Sequence, residues 1–203
     1  MVTFGFIRHG LTDWNAEYRA QGQHDVPLNA EGLRQARLLG ARLANESWDY
    51  LYTSDLSRAR VTAEIAAEAM GMEVTGSDPR LREKSHGRLD GTTVADRIAA
   101  WGEDWAKLDH GEESVESILA RSMDFLKEKA AEHPDKRILI VSHGAWIART
   151  IEHLLQVEDI PHIGNTYLCV LNGGDNEGWS CTLPPCAKHL DVSAETSEDS
   201  ASC

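Results

Sequence analysis

Three apolar runs of strand length, each broken off by a polar turn and followed by a helix-period pattern, limit what this chain can fold into. Residues 2–7 lead, after a polar loop containing Pro27, into a pattern from about Glu31 in which Leu33, Ala36, Gly40 and Leu43 share one face, with Asn29 placed to cap it. Tyr50–Thr53 run through Ser54-Asp55 into a helix in which Val61, Ile65 and Ala69 recur and Gly71 closes the pattern. Arg137–Ser142, with the core Ile138-Leu139-Ile140-Val141, lead through His143-Gly144 into a helix bearing Ile147, Ile151, Leu154 and Leu155. Nearly continuous apolar strands alternating with helices predict an α/β fold whose sheet is mainly parallel and covered on both faces.

The remaining segments are read in the same way. Residues 92–132 read as helical, with Val115, Ile118, Leu119, Ser122, Phe125 and Leu126 on one stripe. Residues 166–171 read as a later strand, and residues 179–183 as an edge strand before Pro184-Pro185. No linker or repeat divides the chain, so residues 1–186 are expected to form one domain. Residues 187–203, rich in Ser, Ala, Glu and Asp, read as a disordered acidic tail.

Two of the three runs end alike, in Arg8-His9-Gly10 and in Ser142-His143-Gly144. An arginine offers a planar fork of donors suited to phosphate, and an imidazole can attack as a nucleophile near neutral pH. In open parallel sheets ligands gather at the carboxyl ends of strands. The remaining junction supplies Arg58 at the start of a helix, where an anion is also favoured. Two histidines and two arginines at three strand ends therefore predict a phosphoryl-transfer site. A proton donor is needed for the leaving group, and Glu83 in Leu81-Arg82-Glu83 offers one. On these grounds alone, Glu83 reads sooner as a solvated loop carboxylate paired with Arg80 or Arg82 than as that donor.

Charge narrows the partners. The net charge of −13 argues against nucleic acid and against anionic membrane surfaces, so a phosphate pocket has to be a local basic island. No stretch approaches the roughly 20 apolar residues of a membrane span, and the start shows no basic n-region, so a cytoplasmic protein is expected. Cys169 reads as a core residue. Cys181 and Cys186 could pair or bind metal, but no His/Cys cluster at zinc-ligand spacing accompanies them and they read as free thiols.

These stretches together resemble the histidine phosphatase superfamily, in the branch that holds cofactor-dependent phosphoglycerate mutase and small broad-specificity phosphatases. The resemblance is carried by Ile7-Arg8-His9-Gly10 with Trp14-Asn15, by Gln21-Gly22 with Pro27-Leu28-Asn29 and Gly32, and by Tyr52-Thr53-Ser54-Asp55-Leu56-Ser57-Arg58-Ala59 with Thr62-Ala63. Leu81-Arg82-Glu83 with Gly87 and Asp90-Gly91, then Val141-Ser142-His143-Gly144, complete it, and Asn165-Thr166 add a weaker match. They fall in the family's order over roughly the first 170 residues.

The resemblance implies a three-layer α/β/α sandwich and a phosphohistidine formed on His9. It implies that Arg8, Arg58 and His143 bind the phosphoryl oxygens. Thr12, Asn15 and the backbone at Gln21-Gly22 and Gly144-Ala145 would line the pocket. Glu83 would serve as general acid and then as base for water. No metal or other cofactor is implied, because arginines and an imidazolium do the neutralising. Leu11, His86 and Asp90 depart from the family's usual residues, and Leu11 and His86 are expected to shape the substrate pocket.

Three functions stand in order. The first is a metal-independent phosphomonoesterase acting on a small phosphorylated metabolite. The second is a phosphoglycerate mutase, disfavoured because residues 92–113 form a short acidic segment rather than a long basic insertion. The third is an inactive module that binds phosphorylated ligands, disfavoured because His9, Arg58, Glu83 and His143 are all present. Monomer and homodimer remain open, and Trp14, Trp101, Trp105 and Trp146 read as cleft-mouth, core or lid residues.

Overall fold

A computed structural model describes residues 1–174 and 178–191. Six strands form one sheet: β1 (Val2–Arg8), β2 (Tyr50–Thr53), β3 (Gly76–Ser77), β4 (Arg137–Ser142), β5 (Leu168–Gly174) and β6 (Gly178–Cys186). Their order across the sheet is β3-β2-β4-β1-β5-β6. The pairings β1–β4, β2–β4 and β2–β3 are parallel, while β5 runs antiparallel to both β1 and β6. Among the described residues the α-helices are α1 (Asp13–Ala16), α2 (Ala30–Leu43), α3 (Ser57–Met70), α4 (Val94–Trp101), α5 (Val115–Glu132) and α6 (Gly144–Leu155).

Alternation along the strands builds two cores. Phe4, Phe6, Ile138 and Ile140 face α5 and α6, where Ile118, Phe125, Trp146, Ile147 and Ile151 are buried. Ile7, Leu51, Leu139 and Val141 face α2 and α3, where Leu39, Leu43, Ala59, Ala63 and Ala66 are buried. Both faces of the sheet are covered, giving the three-layer α/β/α sandwich with a mainly parallel sheet. Asn29 caps α2 by accepting the Gly32 amide at 2.9 Å, and Gly71 ends α3 in the left-handed region at φ 67°. No described helix is long and apolar enough to cross a membrane.

Register then brings the motifs together. Arg8 pairs with Ser142 and Thr53 with Val141, so β1, β4 and β2 end side by side and pointing the same way. The ladder runs one residue further at each exit, through His9 N to Ser142 O at 3.0 Å and Ser54 N to Val141 O at 3.0 Å. His9, His143 and Ser54 are thereby the first residues beyond the three adjacent central strands.

Residues 92–132 do not form one helix. Gly102 and Gly111 adopt φ of 79° and 69°, and between α4 and α5 the chain makes only a 3-10 turn, Trp105–Lys107. Val115 is exposed, so the buried stripe on α5 starts at Ile118. β6 continues through Pro184 and Pro185 to Cys186; an edge strand tolerates prolines because one row of its amides needs no partner. Of the tail, Lys188–Leu190 form a 3-10 turn in which His189 meets Arg42 of α2 and Thr166; residues 192–203 lie outside the described residues. Cys169 is buried and free and Cys181 is free, whereas Cys186, read as a free thiol, is disulfide-bonded.

Candidate active site

His9 is almost fully buried. Its Nδ1 lies 2.7 Å from the carbonyl of Gly10, which can only accept, so Nδ1 carries the hydrogen. Nε2 is left with its lone pair free. Burial, and then the positive charges of Arg58 and Arg8, hold its pKa well below 6.5, against the weaker opposing effect of the Gly10 hydrogen bond. His9 is therefore a neutral imidazole of fixed tautomer at neutral pH, the form a nucleophile requires.

His143 packs its ring 5.1 Å from that of His9, tilted by 58°. Nε2 sits 2.9 Å from Ser54 Oγ, and Nδ1 is buried without a partner. Burial, then the charges of Arg58, His9 and Arg8, lower its pKa as well. Each of these histidines is ready to gain stability from a negative charge placed between them.

Two guanidinium groups supply the basic island. Arg8 donates through Nη1 to Ile163 O at 2.8 Å, and its buried Nε has no partner. Arg58 is fully buried and spends its two ends on His24 O at 2.6 Å and Gly22 O at 2.8 Å, again leaving Nε unpartnered. Desolvation pulls the Arg58 pKa down to about 10, with Glu83 and Asp25 opposing it, so it remains charged at neutral pH. Buried cations with unspent donors are costly unless an anion shares their site.

Glu83 reaches this island from the loop after the Pro79–Leu81 turn. Its Oε1 accepts from Lys84 N at 2.9 Å and Trp146 N at 3.1 Å, and Oε2 lies 3.3 Å from Ala145 N. The carboxylate thus caps α6, whose N-cap residue His143 provides no side-chain cap of its own. This cap and the floor of the site are one structure.

Around these groups Thr12, fully buried, donates to Gln21 Oε1 at 3.0 Å and caps α1 together with Asn15. Asn15 Oδ1 accepts from Asn165 Nδ2 at 3.3 Å, and the same Asn165 nitrogen donates to His9 O at 2.9 Å. Gly22 takes φ 48°, and a Cβ there would fall 2.0 Å from Asp90 Oδ1. A cavity of about 160 Å³ is lined by Arg8, His9, Asn15, Gln21, Gly22, Arg58, Glu83 and His86, among others. A second, of about 470 Å³, shares Arg8 and Glu83 with it and adds Gly144, Ala145, Ala148 and residues 160–163.

The structure therefore brings together Arg8, His9, Thr12, Asn15, Gln21, Gly22, Arg58, Glu83, His143 and Gly144. Of the two residues expected to shape the pocket, His86 lines the cavity. Leu11 instead spends its backbone on Gln35 Oε1 and Asn29 N outside it. The tryptophans divide: Trp146 is core, Trp101 and Trp105 flank the buried His110, and Trp14 packs on His24. Gln23, which donates to Glu83 O at 3.2 Å, and Ser54 as a partner of His143 were not singled out from the sequence. Among the described residues no group of three or more His, Cys, Asp and Glu side chains is placed to hold a metal ion.

A sandwich with two histidines and two arginines at adjacent parallel strand ends defines a class that sequence comparison names directly. The model of the histidine phosphatase superfamily (branch 1) matches residues 4–183, and the chain belongs to this superfamily. It is similar to an uncharacterized phosphatase of Bacillus subtilis, PhoE, at 33% identity over 96% of this chain and 91% of that protein. It is also 34% identical to a probable phosphoglycerate mutase of Serratia proteamaculans, over 96% of this chain and 97% of the relative. Among solved structures, mycobacterial glucosyl-3-phosphoglycerate phosphatase with VO3 superposes with a TM-score of 0.81 at 30% identity, covering 91% of this chain and 99% of that one.

Proposed function

We propose that this chain is a metal-independent phosphomonoesterase that works through a phosphohistidine on His9 and acts on a small phosphorylated metabolite. The observation that carries the reading is the state of His9: its Nδ1 hydrogen is committed to Gly10 O, and burial and two guanidinium groups keep Nε2 unprotonated. In the first half-reaction Nε2 attacks phosphorus, the P–O bond to the leaving group breaks, and Glu83 gives that oxygen a proton. Arg8, Arg58 and His143 hold the equatorial oxygens as charge redistributes. In the second, Glu83 takes a proton from water, the water oxygen bonds to phosphorus, and the P–N bond breaks to release phosphate. Glu83 is held beside the site by the amides of Ala145 and Trp146, and the proton it gives up in the first half-reaction is regained from water in the second.

Hydrolysis is favoured over mutase chemistry by the pairing of Arg19, which lines the cavity, and of the cations in the segment that follows Glu83. Arg19 is engaged by Glu17, Asp96 and Gly91 O, Lys84 by Glu112, and Lys107 by Asp104. Arg88 is taken up by Asp109 O, and Arg97 by Thr92 and the face of Trp105. A mutase has to retain a second anionic group of its substrate while the phosphoryl group is exchanged, and these cations are already occupied. The names of similar proteins point both ways, so the assay decides. Wild type should release phosphate from an aryl phosphate in excess chelator, and His9→Ala should not. Interconversion of 2- and 3-phosphoglycerate without phosphate release would establish the mutase instead.

A further inference from the structure

Arg121 of α5 binds three main-chain carbonyls of the loop that carries Glu83. Its Nη1 donates to Arg80 O at 2.8 Å and Arg82 O at 2.5 Å, and Nη2 to Glu83 O at 3.2 Å. The remaining two hydrogens go to Glu113, Nη2 to Oε2 at 3.0 Å and Nε to Oε1 at 2.9 Å. All five donors of a guanidinium are thus spent, three of them on carbonyls of the four residues that end at Glu83. The pair is largely sheltered, with side-chain exposures of 17% and 13%. Glu113 closes the frame from the other side. It accepts from Ser85 N at 3.3 Å and Ser117 Oγ at 2.9 Å, and its own amide donates to Ser85 O at 2.8 Å.

We infer that Arg121, braced by Glu113, is a positioning residue that sets the Glu83 carboxylate over the phosphoryl site. The inference rests on the role proposed above for Glu83. Three other side chains reach the carbonyls of these residues, Gln23 Nε2 to Glu83 O, Trp146 Nε1 to Arg80 O and Ser142 Oγ to Leu81 O, and none of them takes Arg82 O. Arg121 spans from Arg80 to Glu83, and through Glu113 to Ser85, so the main chain on both sides of Glu83 is fixed to α5. A proton donor displaced by about 1 Å loses its share of the rate, while the nucleophile and the oxyanion donors, which sit on β1, α3 and α6, are untouched. Lysine cannot replace this arrangement, because an ammonium has three donors and no planar fork.

The test measures kcat/KM, which reports phosphoryl transfer to His9 and not the later hydrolysis common to both substrates, for an aryl phosphate, whose leaving group departs without help, and for an alkyl phosphate, which needs a proton. The proteins are wild type, Arg121→Lys, Glu113→Gln, Glu83→Gln and the Arg121→Lys/Glu83→Gln double variant, each checked for folding by near-ultraviolet circular dichroism. Arg121→Lys should lower kcat/KM for the alkyl phosphate by about 10-fold or more and for the aryl phosphate by less than about 3-fold, with Glu113→Gln in between. In the double variant the alkyl loss should be no larger than that of Glu83→Gln alone, because both act on one proton transfer. Equal losses on the two substrates, or additive losses in the double variant, overturn the inference and mark Arg121 as purely structural. A selective loss in Glu83→Gln without one in Arg121→Lys overturns it while leaving Glu83 as the acid. No selective loss in Glu83→Gln overturns both. Glu113→Gln, which keeps the shape of the pair, carries the same comparison if Arg121→Lys fails to fold.

Discussion

The two histidines show how position along a strand sets chemistry. Each occupies the residue after a parallel strand ends, where the core buries its side chain. Burial and shared arginines keep both neutral, and this has a consequence for stability. An unfolded histidine titrates near 6.5, whereas His9 and His143 bind their protons only at much lower pH in the fold. As pH falls below about 6.5 the unfolded chain takes up protons that the native chain does not, so stability present above that pH is progressively lost. The expected slope is up to about 1.4 kcal/mol per pH unit for each histidine below about pH 6.5. Denaturant titrations should show it in wild type and show a flatter dependence in His9→Gln/His143→Gln; equal slopes would refute the assignment of neutral histidines. His9→Ala should abolish turnover while leaving the thermal midpoint within a few degrees of wild type, since the side chain gives up buried polar contacts rather than core packing. These two positions were legible in the sequence because apolar runs ending in His-Gly stand out. The Gly10 carbonyl that fixes the tautomer was not, since no pattern of residue types reports a main-chain acceptor.

Elements place these residues, and glycines decide how close the elements come. A Cβ on Gly32 of α2 would fall 2.0 Å from Leu11 O, and one on Gly10 would fall 2.6 Å from Gly32 O. The N-terminus of α2 therefore rests on the turn that leaves β1, and Gly10 N is tied to Thr62 of α3 at 3.0 Å. Gly32→Ala should cost about 1–3 kcal/mol in a chemical melt, as overpacked contacts do, and lower turnover by displacing the His9 turn. An unchanged midpoint would show that the helix can shift freely. Most elements were readable, from Asn29 and Gly71 as caps to β2 and β4 in full. The errors have physical reasons. Gly102 and Gly111 take positive φ and interrupt an otherwise helical composition between α4 and α5. Pro184 and Pro185 stay within β6 because it lies at the sheet edge. β3, two residues long, has no period to detect. Glu83 could be assigned only through the family resemblance, because the α6 amides that it caps lie more than sixty residues away in the chain.

At the scale of the molecule, a chain of net charge −13 concentrates buried cations at one end of its sheet. That arrangement is destabilising by itself and is relieved by an anion, so phosphate should act as a stabilising ligand. At 100 times its dissociation constant, inorganic phosphate adds about 2.7 kcal/mol to unfolding, seen as a higher thermal midpoint than in chloride of equal ionic strength. No difference between the two salts would mean that the basic island does not bind phosphate. The sandwich, its parallel centre and the location of the site were all implied by the alternation of runs and turns. The Arg121–Glu113 frame was not, because α5 meets the Glu83 loop only through tertiary packing. The central claim is the phosphohistidine, and Glu83→Gln is the variant in which it should persist. Mixing that variant with an aryl phosphate, quenching at alkaline pH and mapping the phosphoryl group by mass spectrometry should place it on the peptide containing His9. Recovery of unmodified protein, or of the phosphoryl group on another residue, would contradict the account.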